Sequence, residues 1–198
     1  MKLILIRHGE TEGNLNGIYQ GIKDYPLSEE GKLQNLKLKS KLENINVDKV
    51  YYSTMERAKK TADAIFDFSS SAIYFEENLS FNEINFGLWD GKDYKYISKN
   101  YSEQFQSFID DFKIFKFPEG ESFKDFYNRV SEGIRKIIKV SKEEDNIAIV
   151  AHGGTIRVIL CELLGFNYEG FYKFNISHGC YSLLTVCKDS AVLEFLNK

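Results

Sequence analysis

Apolar positions along the chain fall into short compact runs that alternate with longer periodic stretches. Residues 2–6, 47–52, 72–75 and 147–151 are runs rich in β-branched, aromatic or leucine side chains and predict strands. Between them, 28–43, 54–68, 122–141 and 155–164 space their apolar residues at helical intervals and predict helices. The pattern is clearest over 122–141, where Phe123, Phe126, Tyr127, Val130, Ile134, Ile137 and Ile138 keep to one face. Ser122 with Asp125 makes a capping-box-like start. Strands apolar on both faces, alternating with helices, predict an α/β fold: a three-layer sandwich whose mostly parallel sheet carries helices on both sides.

Two stretches depart from that rhythm. Runs at 181–186 and 191–195 flank the turn-like Lys188-Asp189-Ser190 and predict a C-terminal hairpin at one sheet edge. Residues 94–112 carry Ile97, Tyr101, Phe105, Phe108, Ile109 and Phe112 at roughly helical spacing where no strand follows. The segment 92–117 is therefore expected to be a helical insertion placed as a lid. No repeat, low-complexity tract or Pro/Gly/Ser-rich linker interrupts the chain, so 1–198 is expected to be one domain.

Charge narrows the partners. The 26 Lys+Arg against 29 Asp+Glu leave a net charge of −3 without a dense basic run, which argues against nucleic acid or an anionic membrane as partner. The apolar opening is cut by Arg7, His8 and Glu10 well short of a signal-peptide core, so a cytoplasmic protein is expected. Cys161, Cys180 and Cys187 lack metal or redox spacing and are expected to be reduced core thiols.

Histidine and arginine carry the candidate chemistry. His8 and His152 each end a buried-looking apolar strand and precede a glycine. At the carboxyl ends of parallel strands, side chains face the crevice where ligands bind, so the two are expected to share one pocket. Arginine is scarce beside lysine: Arg7 adjoins His8, Arg57 follows the second predicted strand, and a guanidinium grips phosphate in a bidentate way that ammonium does not. Arg129 and Arg135, on the 122–141 helix, are expected on solvated or salt-bridged faces, and His178 in a structural role near the pocket rim. Glu76, Glu77, Glu83 and Asp90 all remain open as the acid on residue chemistry alone.

Leu5-Ile6-Arg7-His8-Gly9-Glu10-Thr11, with Asn14 and Tyr19-Gln20-Gly21, resembles the signature of the histidine phosphatase superfamily, the phosphoglycerate mutase-like fold. The resemblance continues through Asp24, Pro26-Leu27, Gly31, Gln34, Ser53, Arg57-Ala58 and Thr61-Ala62. It ends with Leu79, Glu83, Phe86-Gly87, Trp89, Gly91, Gly120-Glu121-Ser122 and Ala151-His152-Gly153-Gly154. Departures are Ile18, Lys60 and Asp90, where the family often carries Arg, Gln and Glu; Ile18 bears on the pocket rim.

The resemblance implies a phosphomonoesterase with His8 as nucleophile and Glu83 as general acid, later general base. It implies that Arg7, Arg57 and a cationic His152 hold the phosphoryl oxygens, joined in substrate binding by Asn14, Gln20, Gly21 and Gly153. A neutral imidazole suits attack on a dianion, and the cations stabilise transition-state charge, so neither a metal nor another cofactor is expected. A non-catalytic relative is expected to lack Glu83 or a phosphate clamp, and neither is missing. The expected partner is a small-molecule phosphate ester, with a homodimer left open. Chain length and Ile84-Asn85-Phe86-Gly87-Leu88-Trp89-Asp90-Gly91 are similar to the small phosphatases rather than the mutases. The stretch 151–160 followed by Leu163-Leu164-Gly165 resembles the α-ribazole phosphatases of cobalamin biosynthesis. The alternatives are a broad-specificity or sugar-phosphate phosphatase and, behind these, a phosphoglycerate mutase. Tyr101, Phe105, Phe108 and Phe112 offer an aromatic wall for a base, with plain packing weighed as the stronger reading.

Overall fold

The computed structural model describes residues 1–187 and 190–198. The chain runs β1 (Lys2–Arg7), α1 (Glu12–Leu15), α2 (Glu29–Leu42), β2 (Lys49–Tyr52), α3 (Glu56–Phe66) and β3 (Tyr74–Glu77). It continues α4 (Tyr94–Asn100), α5 (Ser102–Asp110), α6 (Phe123–Val140), β4 (Asn146–Ala151), α7 (Gly153–Leu164), β5 (Tyr181–Cys187) and β6 (Ser190–Phe195). The strands form one sheet in the order β3-β2-β4-β1-β5-β6. β1 to β4 pair in parallel, whereas β5 runs antiparallel to β1 and forms the expected edge hairpin with β6. Of the turn expected there, Lys188 and Asp189 lie outside the described residues.

Strand alternation builds the three layers. Leu3 and Leu5 of β1, with Ile147 and Ile149 of β4, face one side, where they meet Phe126, Val130 and Ile134 of α6 and Ile156 and Ile159 of α7. Ile4 and Ile6, with Ala148 and Val150, face the other, against Leu38 and Leu42 of α2 and Ala58, Ala62 and Ile65 of α3. Buried on both faces, the central strands must be apolar at every position, which is why they read as continuous runs rather than alternating ones.

The helix starts are chemical. Ser28 caps α2 by accepting from Gly31 N, and Ser122 caps α6 by accepting from Asp125 N while donating to the Asp125 carboxylate, 2.6 Å away. Each such cap contributes about 1 kcal/mol. The 94–112 stretch is two short helices, α4 and α5, because Tyr101 leaves helical geometry (φ −132°, ψ 41°). Ile97 and Phe105 seat them in the core, with Phe105 against the fully buried Trp89. The thiols correct one expectation: Cys161 is buried, but Cys180 is half-buried and Cys187 exposed on the edge hairpin, where one face of β5 meets solvent. No helix among the described residues is long and apolar enough to cross a membrane.

Candidate active site

The parallel register of β1 and β4 places Arg7 opposite Ala151, so His8 and His152 leave the sheet side by side. His8 N donates to the Ala151 carbonyl at 3.0 Å, and the two imidazole centroids are 5.1 Å apart. His178 joins them: Gly179 N donates to the His8 carbonyl, and the His178 ring stands 5.6 Å from that of His8. The expectation of His178 near the pocket rim did not extend to contact with His8, which arises only where β5 docks antiparallel on β1.

Hydrogen bonding sets both tautomers. His8 Nδ1 lies 2.8 Å from the Gly9 carbonyl, which only accepts, so Nδ1 carries the proton and Nε2 keeps its lone pair. His152 Nδ1 accepts from Arg57 Nε at 3.2 Å, which leaves Nε2 to donate to Ser53 Oγ at 2.7 Å. His152 is therefore a neutral ring in the free site, whereas the cation implied by the resemblance concerns the site with phosphate bound. Burial, reinforced by Arg57 and other nearby charges, holds both rings well below the usual imidazole range.

Arg57 is 1% exposed and ion-paired with Asp24 at 2.7 Å. Its remaining N–H groups go to His152 and to the carbonyls of Gln20, Gly21 and Lys23. All five donors are spent on protein partners, and Arg57 stands against His152, the neighbour of His8. In the free site the short approach of the 20–24 loop thus satisfies the guanidinium internally, where the resemblance implies a phosphate clamp. Gly21 makes that approach possible, since a Cβ there would lie 2.2 Å from the Ile84 carbonyl. Asp90 anchors the same loop by accepting from Gly21 N and Ile22 N at 3.2 and 2.7 Å.

A cavity of about 390 Å³ opens in front of His8. Of the expected site residues, Arg7, His8, Asn14, Gln20, Glu83 and Gly153 line it, whereas Arg57, His152 and Gly21 do not. Arg7 is pushed down to about 10, chiefly by burial, and its buried Nε has no partner among the described residues. That unsatisfied donor is one an anion in the cavity would complete. Asn14 spends Oδ1 on Thr11 N at 3.1 Å.

Glu83 is the one carboxylate among the described lining residues. Its Oε2 accepts from Gly154 N at 2.9 Å at the start of α7, and its Oε1 accepts from Ile84 N at 3.0 Å. Glycine at 154 lets the carboxylate sit this close, because a Cβ would lie 2.4 Å from Glu83 Oε1 and displace it. The alternatives open in the sequence are placed elsewhere: Glu76 pairs with the Tyr74 hydroxyl, Glu77 with Lys59, and Asp90 with the 20–23 loop.

One feature of the site was not read from the sequence, and another was read with other residues. Arg157 lines the cavity as a second cation, its guanidinium 5.5 and 5.7 Å over the rings of Phe171 and Tyr172 and its Nε donating to the Phe174 carbonyl. The aromatic wall is Tyr19, Phe86, Phe108, Phe117, Phe123, Phe126, Phe171 and Tyr172. Of the four insertion aromatics only Phe108 reaches it; Phe105 packs on Trp89, Phe112 on Phe123 and Tyr172, and Tyr101 near Tyr96. Ile18, at the family's variable position, is also on the wall.

The profile of the histidine phosphatase superfamily (branch 1) matches residues 3–198. The chain is 30% identical over 197 residues to an adenosylcobalamin/alpha-ribazole phosphatase of Salmonella typhimurium, covering 100% of this chain and 96% of the relative. It is 31% identical to phosphoserine phosphatase 1 of Hydrogenobacter thermophilus, with 100% and 92% covered. The crystal structure of the alpha-ribazole phosphatase from Shigella flexneri superposes with a TM-score of 0.93 at 29% identity, over 100% of this chain and 96% of that one.

Proposed function

The chain belongs to the histidine phosphatase superfamily, and from that premise we propose that it is a phosphatase that hydrolyses α-ribazole 5′-phosphate through a covalent phosphohistidine at His8. The carrying observation is the single cavity that joins a neutral His8 Nε2, the free donor of Arg7 and the Glu83 carboxylate to a wall of eight aromatic rings. A phosphate dianion fits the first part. A ribose bearing a flat aromatic base fits the second, where stacked rings contribute about 0.5–1.5 kcal/mol each beyond area burial.

In the proposed reaction His8 Nε2 attacks phosphorus as the ester P–O bond breaks, and Glu83, protonated, gives its proton to the departing alkoxide. The Nδ1–H bond to Gly9 then supports the phosphorylated ring. Water next attacks phosphorus, giving its proton to Glu83, and phosphate leaves as the P–N bond breaks. Arg7 and Asn14 donate to the phosphoryl oxygens, while Gln20 and Gly153 shape the cavity around them. Arg57 and His152 act from beside His8, one as fixed positive charge and the other as its neutral neighbour. Direct contact of Arg57 with phosphate requires it to exchange the Gln20 and Gly21 carbonyls for phosphoryl oxygens. With Arg7 and Arg157 on the wall, the reading calls on no metal. The segment 92–117 supplies part of the wall through Phe108 and Phe117.

Arg157 favours a second reading, an ester with a further anionic group such as phosphoserine, because it has no carboxylate partner among the described residues. Steady-state kcat/KM values for α-ribazole 5′-phosphate, phosphoserine, 3-phosphoglycerate and fructose phosphates separate the two. The first ester is expected to lead by at least about tenfold. Preference for phosphoserine installs the second reading, and equal values install a broad-specificity phosphatase.

A further inference from the structure

Arg129 does not lie on a free helix face. From α6, its Nη1 donates to the carbonyls of Leu79, Ser80 and Asn82, each at 3.1 Å, and its Nη2 reaches the Glu83 carbonyl at 3.5 Å. Its other edge is held by Glu121, with Nε to Oε1 at 3.0 Å and Nη2 to Oε2 at 2.9 Å. Glu121 grips the far side of the same segment: its Oε2 accepts from Asn85 N at 3.3 Å, and its own N donates to the Asn85 carbonyl at 2.9 Å. The backbone on both sides of Glu83 is thus tied to one ion pair outside the cavity. A planar fork serves a carboxylate on one edge and a cluster of carbonyls on another, whereas an ammonium offers a single centre.

We propose that Arg129, clamped by Glu121, is a positioning residue for Glu83. It fixes the 79–85 backbone so that the carboxylate rests on Gly154 N at the cavity wall, 2.9 Å away. The proposal rests on the reading of Glu83 as proton donor to the leaving alkoxide. It adds that the donor's geometry is set from α6, by a residue that touches neither substrate nor reacting atoms.

Arg129→Lys keeps the charge and loses the fork; Glu121→Gln keeps the shape and loses the clamping charge. Each is compared with the parent and with Glu83→Gln on an alkyl phosphate and on p-nitrophenyl phosphate. Both variants are expected to lose about tenfold or more in kcat on the alkyl ester, with KM within about twofold and a smaller loss on the nitrophenyl ester. Combined with Glu83→Gln, either is expected to cost less than about twofold more, because the route through Glu83 is already cut. Equal losses on both esters without a burst of nitrophenol, or losses that multiply in the double variants, overturn the proposal. If Glu83→Gln alone shows no leaving-group dependence, the reading of Glu83 fails first. If it shows that dependence and the clamp variants do not, only the positioning role fails. Should Arg129→Lys not fold, as read by circular dichroism, Glu121→Gln decides.

Discussion

Arg57 donates its Nε–H to His152 Nδ1 across 3.2 Å, and both side chains are buried. A guanidinium never accepts, so this contact by itself requires an unprotonated Nδ1, and the pair concentrates positive charge on one group instead of two. The consequence reaches His8. A second full cation beside it would oppose the positive charge that its ring acquires as it takes the phosphoryl group, whereas a neutral His152 donating to Ser53 does not. Ser53 in turn donates to Asn82 Oδ1 at 2.8 Å, which links the histidine layer to the segment carrying Glu83.

Acid is expected to destabilise the free protein before its carboxylates titrate. His8, His152 and His178 are all lowered chiefly by burial, His178 to about 3. Below an unfolded-state pKa of about 6.5 the unfolded chain binds protons that the native rings refuse. Unfolding free energy therefore falls as pH falls, by up to about 1.4 kcal/mol per pH unit for each histidine, and the stabilisation is complete above that value. Urea midpoints should drop between pH 7.5 and pH 5, and His178→Asn should flatten the slope. A flat profile in the parent would show that the buried rings accept protons without cost.

Protein denatured in alkali during turnover of a phosphate ester is expected to carry alkali-stable, acid-labile phosphate on His8. The label should vanish in His8→Ala and persist, or accumulate, in variants slowed at the second step. The tautomer fixed by the Gly9 carbonyl directs the label to Nε2, which phosphorus NMR of the denatured adduct distinguishes from Nδ1. Phosphate on serine or aspartate, or on Nδ1, contradicts the chemistry proposed.

Gly154→Ala leaves the backbone N–H in place but puts a methyl group 2.4 Å from Glu83 Oε1. The carboxylate has to move by roughly an ångström, and such a misplacement is expected to cost on the order of 100-fold in kcat. Thermal denaturation should change little, because the clash lies at the edge of a cavity where the carboxylate has room to shift. A variant with parental kcat would mean that the seat on Gly154 N is not the working position of Glu83.

The sheet and its helices were legible because their signal is local. Ser28 and Ser122 cap the helices they introduce, and the β1 and β4 runs are apolar throughout because both faces are covered. His8 and His152 were legible as neighbours from strand-end position alone. Arg129 was not: its partners at 79–83 lie about 50 positions away and are backbone carbonyls, which no side-chain pattern marks. Arg57 was legible as important but not in its connections, since its ring of carbonyls forms only when the 20–24 loop closes over it. The break at Tyr101 was likewise silent, because Ile97, Phe105 and Phe108 keep a helix-like spacing across it while packing as two separate helices.

Glu83→Gln separates the two chemical halves of the reaction. The amide keeps the shape and still accepts from Gly154 N through its oxygen, so substrate binding should be preserved, but it has no acidic proton to deliver. With an alkyl phosphate, kcat is expected to fall by ~10²- to 10⁴-fold, the usual worth of general acid catalysis. With p-nitrophenyl phosphate the departing oxygen is far less basic, so the first step needs little protonation and should stay fast. The defect then moves to hydrolysis of the phosphohistidine, where Glu83 is needed as base. Rapid mixing should show a burst of nitrophenol close to one per active site, followed by slow turnover and a trapped adduct on His8. Equal losses on both esters without a burst would make Glu83 a binding carboxylate. Because Glu83 is the one carboxylate among the described residues on the cavity wall, the proton would then have to come from solvent or from a lining hydroxyl, Tyr19 or Tyr172.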